Sequence, residues 1–189
     1  MFMQDIVKLK TAFTRIAPRV VPMVPAPILG GIVAGTLVEG ECGWIAAETL
    51  QIGDRLQTLD GGLARIHGLD RRWLLPAAEI SLIHVPGGFH DACSDLWLVP
   101  GQHVLIDTVH DHTAPYLLVP AIALTNAAIR HHFPQTNIEV ITPLFADEEV
   151  IFANSDVLLH CPSVIDGAGR YPDNSFFPRL DAATARIFL

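Results

Sequence analysis

Apolar residues in positions 4–17 recur at Ile6, Leu9, Phe13 and Ile16, while Lys8, Lys10 and Arg15 fall elsewhere around the wheel. That spacing predicts one apolar face of a helix. Pro18 stops it, because the residue before a proline avoids the α region. The next stretch, "PRVVPMVPAPIL", holds four prolines that cannot donate to a ladder, and it is expected to be extended and exposed. From Gly35 onward the rhythm changes to short apolar runs between turn signals, among them "TLVEG", "WIAAE", "RLQTLD", "LARIHGL", "EISLIHV", "LWLV", "HVLID", "YLLVPA", "IEVITPLF" and "EVIFAN". Strands this short and this frequent predict an all-β domain that curls on itself. "ALTNAAIRHHF" reads as the one internal helical turn, and a closing helix is expected from about Leu180, capped by Asp181. The chain therefore divides into an N-terminal helical arm and Pro-rich linker (1–29), a β domain (30–160) and a C-terminal helical tail (161–189).

Composition changes this picture in three ways. A 189-residue chain fits one domain with appendages and buries roughly 70% of the surface of its unfolded form, so no metal or disulfide is needed to hold it. Half its residues are hydrophobic, 17% are charged and mean hydropathy is +0.38. No run of about 18 apolar residues occurs, so a membrane-spanning helix is not expected, and the apolar excess is assigned to a generous core. Net charge is −8 with only Lys8 and Lys10 as lysines, which argues against nucleic acid as a partner. Residues 1–29 carry four basic groups against Asp5, a local +3 that leaves −11 for the rest. This arm is the candidate docking element for a protein partner. Cys42, Cys93 and Cys161 are far apart and form no C-x-x-C pair, so unpaired thiols in a reducing, cytoplasmic setting are expected. The proline-broken N-terminus does not read as a secretory signal.

Several segments together resemble the Hint (hedgehog/intein) family, most of all its short bacterial branch. Gly35-Thr36 is similar to the Gly-Thr of the opening C-F-x-x-G-T. Ala47-Glu48-Thr49-Leu50-Gln51-Ile52-Gly53-Asp54-Arg55-Leu56 is similar to V-E-x-L-x-x-G-D-x-V. "LVPGQHVLI" resembles L-V-S-P-x-H-R-V-L, "YLLVPAIALTN" resembles L-V-P-A-x-x-L-x-N, and "DEEVIFAN" resembles D-x-H-E-V-I-F-A-N. The matches run in family order over residues 31–156. Independently of any family, Gly53-Asp54 suits a tight turn in which Gly takes positive φ and Asp bonds nearby backbone. The resemblance implies a horseshoe of short strands and a self-processing ancestry.

That ancestry implies a cysteine whose thiol attacks the preceding carbonyl, a histidine that protonates the leaving amide nitrogen, and donors for the oxyanion. Counting four back from Gly35 places the cysteine position at Gly31, which has no side chain. Losing a protease nucleophile costs on the order of 10⁶ in kcat, or roughly 8 kcal/mol. His103 matches the catalytic histidine and is read as a remnant, a partly buried histidine bonded to backbone. Glu148 stands where the family has histidine and is read as a surface carboxylate. Thr36 corresponds to a scaffold threonine, and no motif beside Cys42 or Cys93 would activate either thiol. The implied function is a degenerate, non-catalytic Hint domain that binds a protein partner or plays a structural part. Two alternatives are autoproteolysis through His103 with another nucleophile, and a metal site on His103, His110, His112, Asp107 or Asp111. Their spacing matches no zinc signature, so no metal and no cofactor is expected.

Overall fold

The computed structural model describes residues 30–60, 62–76, 81–108, 116–167 and 175–189. The expected helical arm and linker, residues 1–29, lie outside them. Among the described residues, fourteen strands run in chain order: β1 Ile32–Val33, β2 Leu37–Gly40, β3 Gly43–Ala46, β4 Arg55–Thr58, β5 Gly62–Arg65, β6 Gly68–Leu74 and β7 Leu82–Val85. They continue as β8 Leu96–Leu98, β9 His103–Asp107, β10 Tyr116–Pro120, β11 Arg130–His132, β12 Ile138–Leu144, β13 Glu149–Ala153 and β14 Val157–Cys161. An α-helix, α1 (Ala182–Phe188), follows at the end of the described residues.

The strands form two antiparallel sheets. One has the order β11-β7-β8-β1-β12-β6; the other runs β10-β9-β14-β13-β2-β4-β5, with β3 paired to β2. The expected all-β character is therefore realised as short strands whose buried residues form one main core and two smaller clusters. That core joins the sheets through Ile32, Val38, Leu56, Ile66, Ile83, Leu98, Val104, Phe145 and Ile151.

The motif residues act as rivets. Glu48 Oε2 accepts the Gly35 amide at 2.8 Å, and Asn154 Oδ1 accepts the Leu37 amide at 3.0 Å. Gly53 sits at φ +103, and Asp54 Oδ2 accepts the Gln51 amide at 2.8 Å, which is the turn chemistry the sequence calls for. Asp181 caps α1 by accepting the Ala183 and Thr184 amides at 2.8 and 2.9 Å.

One local expectation fails. The stretch Ala123–Phe133 is not a helical turn: a 3₁₀ turn occupies Ala121–Leu124, and Arg130–His132 is a strand on β7. The Asn126 side chain explains the switch. Its Oδ1 accepts the Ala128 and Ile129 amides at 2.8 and 2.9 Å, so it closes a local turn where a helix would have continued.

Candidate functional site

β1 is two residues long and lies between β8 and β12, so the Gly30–Gly31 peptide ahead of it enters the sheet already enclosed. The Gly31 amide donates to Gln102 Oε1 at 2.7 Å. The Gly30 carbonyl accepts from Arg72 Nη2 at 2.9 Å. The same nitrogen lies 3.4 Å from Thr142 Oγ1, and Arg72 pairs as a charge with Asp70 at 2.9 Å. Both polar atoms of this peptide are thus satisfied by side chains distant in sequence, one on β6 and one just ahead of β9.

Gly31 itself has φ +130, a backbone conformation that L side chains rarely adopt. A Cβ there would come within 2.5 Å of Val140 Cγ1 and 2.8 Å of Thr142 Oγ1. The position lacks a nucleophile, and it also lacks the space for one.

Gln102 is 2% exposed. Its Nε2 donates to the carbonyls of His103 and His160, both at 2.9 Å. Exchanging the amide's oxygen and nitrogen would set a donor against the Gly31 N–H and an acceptor against two carbonyls, so the network fixes its orientation. Gln102 therefore meets the leaving nitrogen as a hydrogen-bond acceptor. A general acid would have to bring a proton to that atom, and the Gln102 oxygen brings none. Arg72, by contrast, is placed where a developing oxyanion would need a donor.

His103 opens β9 opposite Pro120, one residue on from Gln102, and it joins a different cluster. Its ring centroid lies 6.4 Å from that of His160. Burial first, then the positive charge of Arg179 and the neighbouring His160, push its pKa down to about 4. Burial also lowers His160. His160 Nε2 lies 3.0 Å from Glu148 Oε2 and 2.9 Å from Arg179 Nη2. A proton on Nε2 is donated to Glu148, whereas the other tautomer accepts from Arg179.

Glu148 corrects its expected place on the surface, for its side chain is only 13% exposed. Its carboxylate accepts from Ser175 Oγ at 2.9 Å, Arg179 Nη2 at 3.1 Å and the Phe176 amide. Burial would raise its pKa, but hydrogen bonds from His160, the Phe176 amide and Ser175 outweigh it and hold it at about 2. All but one of these donors come from residues 175–179, so the tail takes the carboxylate out of water.

Of the residues singled out in the sequence, His103 and Glu148 thus meet around His160, while Gly31 belongs to the junction. Cys42 and Cys93 are exposed and Cys161 is buried, all three unpaired; burial pushes the Cys161 thiol far up. His110, Asp111 and His112 lie outside the described residues. Among the described residues no group of three or more His, Cys, Asp or Glu side chains is placed to hold a metal, and no helix is long and apolar enough to cross a membrane.

Gln102, Arg72, His160 and Arg179 did not stand out in the sequence. The ungapped nine-residue match of "LVPGQHVLI" to L-V-S-P-x-H-R-V-L sets His103 under the family's histidine and Gln102 under its variable position, so Gln102 carried no signal in the sequence.

Comparison with known proteins agrees with this frame. The sequence model of the Hint domain family matches residues 31–163. The structure is similar to the bacterial intein-like domain from Clostridium thermocellum, with a TM-score of 0.53, 15% identity and coverage of 70% of this chain and 99% of that one. It is also similar to a splice-inactive variant of the AceL NrdHF class 3 split intein (TM-score 0.48, 10% identity, 71% and 98% covered) and to the MchDnaB-1 intein (0.41, 13%, 68% and 98%). No curated protein matches the sequence.

Proposed function

The chain belongs to the Hint domain family, and we propose that it is a non-cleaving member that serves as a binding or structural module for a protein partner. The observation that carries the reading is the enclosed Gly30–Gly31 peptide. Self-processing at this bond needs a nucleophile at residue 31, a proton for its nitrogen and stabilisation of its carbonyl oxygen. The first requirement meets a glycine whose missing Cβ would stand 2.5 Å from Val140. The second meets the acceptor oxygen of Gln102. Only the third has a candidate, Arg72, and without an attacking atom it acts as a cap on a carbonyl in the ground state.

What is kept points the same way. Glu48 and Asn154 still hold the strands that frame the junction, so the frame retains a role in structure after losing its chemistry. A folded reporter fused ahead of residue 1, incubated with dithiothreitol or hydroxylamine and followed by intact mass, tests the reading. The mass stays that of the full fusion; a fragment beginning at Gly31 that accumulates with time refutes it.

A further inference from the structure

The family match ends at residue 163, yet residues 175–189 pack back onto the domain. β10 is the last strand of its sheet, and the tail runs along its open side. The Leu118 amide donates to the Pro178 carbonyl at 2.9 Å, and the Leu180 amide donates to the Leu118 carbonyl at 3.0 Å. This parallel bridge of Leu118 with Arg179 is strand addition to an edge.

Side chains alternate as an extended segment requires. Phe176 points outward and is 80% exposed. Phe177 packs on the cluster of Leu105, Leu118 and Val150. Two residues on, Arg179 enters the pocket of Glu148 and His160, where its side chain is 15% exposed. The remainder of the tail adds a second hold, with Leu180, Ala182 and Ala185 packed on the main core and Arg186 Nη2 donating to the Ile122 carbonyl at 3.1 Å. α1 has seven residues, of which only Ala185 is buried, while Ile187, Phe188 and Leu189 are 82%, 59% and 51% exposed. A helix that short is unstable alone, so contact with the domain holds it.

We infer that the β10 edge, the Leu105–Leu118–Val150 seat and the Glu148–His160 pocket form a peptide-binding groove for an extended segment of a partner protein carrying an aromatic residue two positions before an arginine, and that the chain's own Phe177-Pro178-Arg179 is its resident occupant. The inference rests on the reading of the chain as a binding module and gives that module its partner class. Main-chain bonds at Leu118 supply affinity for any extended segment. The carboxylate supplies selectivity for a guanidinium, whose planar fork suits it better than an ammonium.

The test uses the full chain and a fluorescein-labelled synthetic peptide of residues 175–189. In Arg179→Ala the tail loses the charged one of its anchors while the groove stays intact. The peptide is expected to bind this variant at least about tenfold more tightly than the parent, since one charged hydrogen bond is worth about 1.5–3 kcal/mol. Adding Glu148→Gln, or replacing the peptide's first arginine, that of Arg179, by alanine, is expected to lower that binding by a similar factor. Equal binding to parent and variant, or no binding to either, overturns the inference. Hydrogen exchange of the unmodified chain gives an independent check. The Leu118 and Leu180 amides are expected to exchange through release of the tail, well before Ile151 inside the same sheet; exchange only with global unfolding would make the tail an integral strand and overturn the inference. Failure of these binding tests leaves the non-cleaving reading standing, and cleavage before Gly31 sinks that reading alone.

Discussion

Gln102 and His103 are neighbours in sequence and serve two regions with opposite chemistry. Gln102 faces the Gly30–Gly31 junction, where its carboxamide joins an amide and two carbonyls in a buried network. His103 belongs to the region under the tail, with His160, Glu148 and Arg179, where charges are paired and pKa values are displaced. Displaced pKa values commonly mark functional sites. Here His103, His160 and Glu148 lie where the tail is bound, while the Gly30–Gly31 peptide is held by packing, by Gln102 and by an Arg72 that is paired with Asp70. The Hint frame thus carries an enclosed peptide at Gly30–Gly31 and, apart from it, a charged cluster that holds the chain's own tail.

The comparison breaks first at Gly31. Gly31→Val adds a side chain at positive φ against Val140 and Thr142, so overpacking and backbone strain together are expected to destabilise by about 4 kcal/mol. Urea unfolding measures it, and a variant within about 1 kcal/mol of the parent would mean that the junction has room. Gln102→Leu comes next. It strands the Gly31 amide and the carbonyls of His103 and His160 in a dry site, with an expected loss of about 2–3 kcal/mol and no gain of cleavage.

The smallest effects sharpen the charged side by pH. His103 is held neutral, its pKa lowered from 6.5 to about 4. Its contribution is full above pH 6.5 and is lost as pH falls toward 4, so melting curves should show an acid limb that His103→Gln flattens. Glu149, next to Glu148, behaves oppositely: burial and the charge of Asp60 raise it from 4.5 to about 7. Its contribution is full below pH 4.5 and is lost as pH rises through 7, so Glu149→Gln should raise the Tm at pH 8 and leave it nearly unchanged at pH 4.5. A parent melting point that is flat across this range would contradict both assignments.

Much of the frame was legible because it is local. A short apolar run after a Pro-Gly turn marked the strand at His103–Asp107, Gly53-Asp54 marked its turn, and Asp181 marked the cap of α1. The candidate sites were legible only by residue type. Nothing near Gly31 in sequence shows that Val140 and Thr142 fill the space above it, since those residues arrive with β12. Glu148, inside "ADEEV", reads as solvated; its burial depends on Arg179, 31 residues later. Gln102 was hidden because nothing in "LVPGQHVLI" shows that its side chain reaches the Gly31 amide, which arrives 71 residues earlier in the chain with β1.

Restoring the sulfur is the most direct test of whether geometry, and not only a missing atom, closes the junction. Gly31→Cys, in a reporter fusion followed by intact mass with and without thiol and kept below its melting temperature, is expected to remain whole, because Gln102 gives the leaving nitrogen no proton and Val140 leaves the side chain no place. Thiol-accelerated release of the reporter at the bond before residue 31 would contradict that closure.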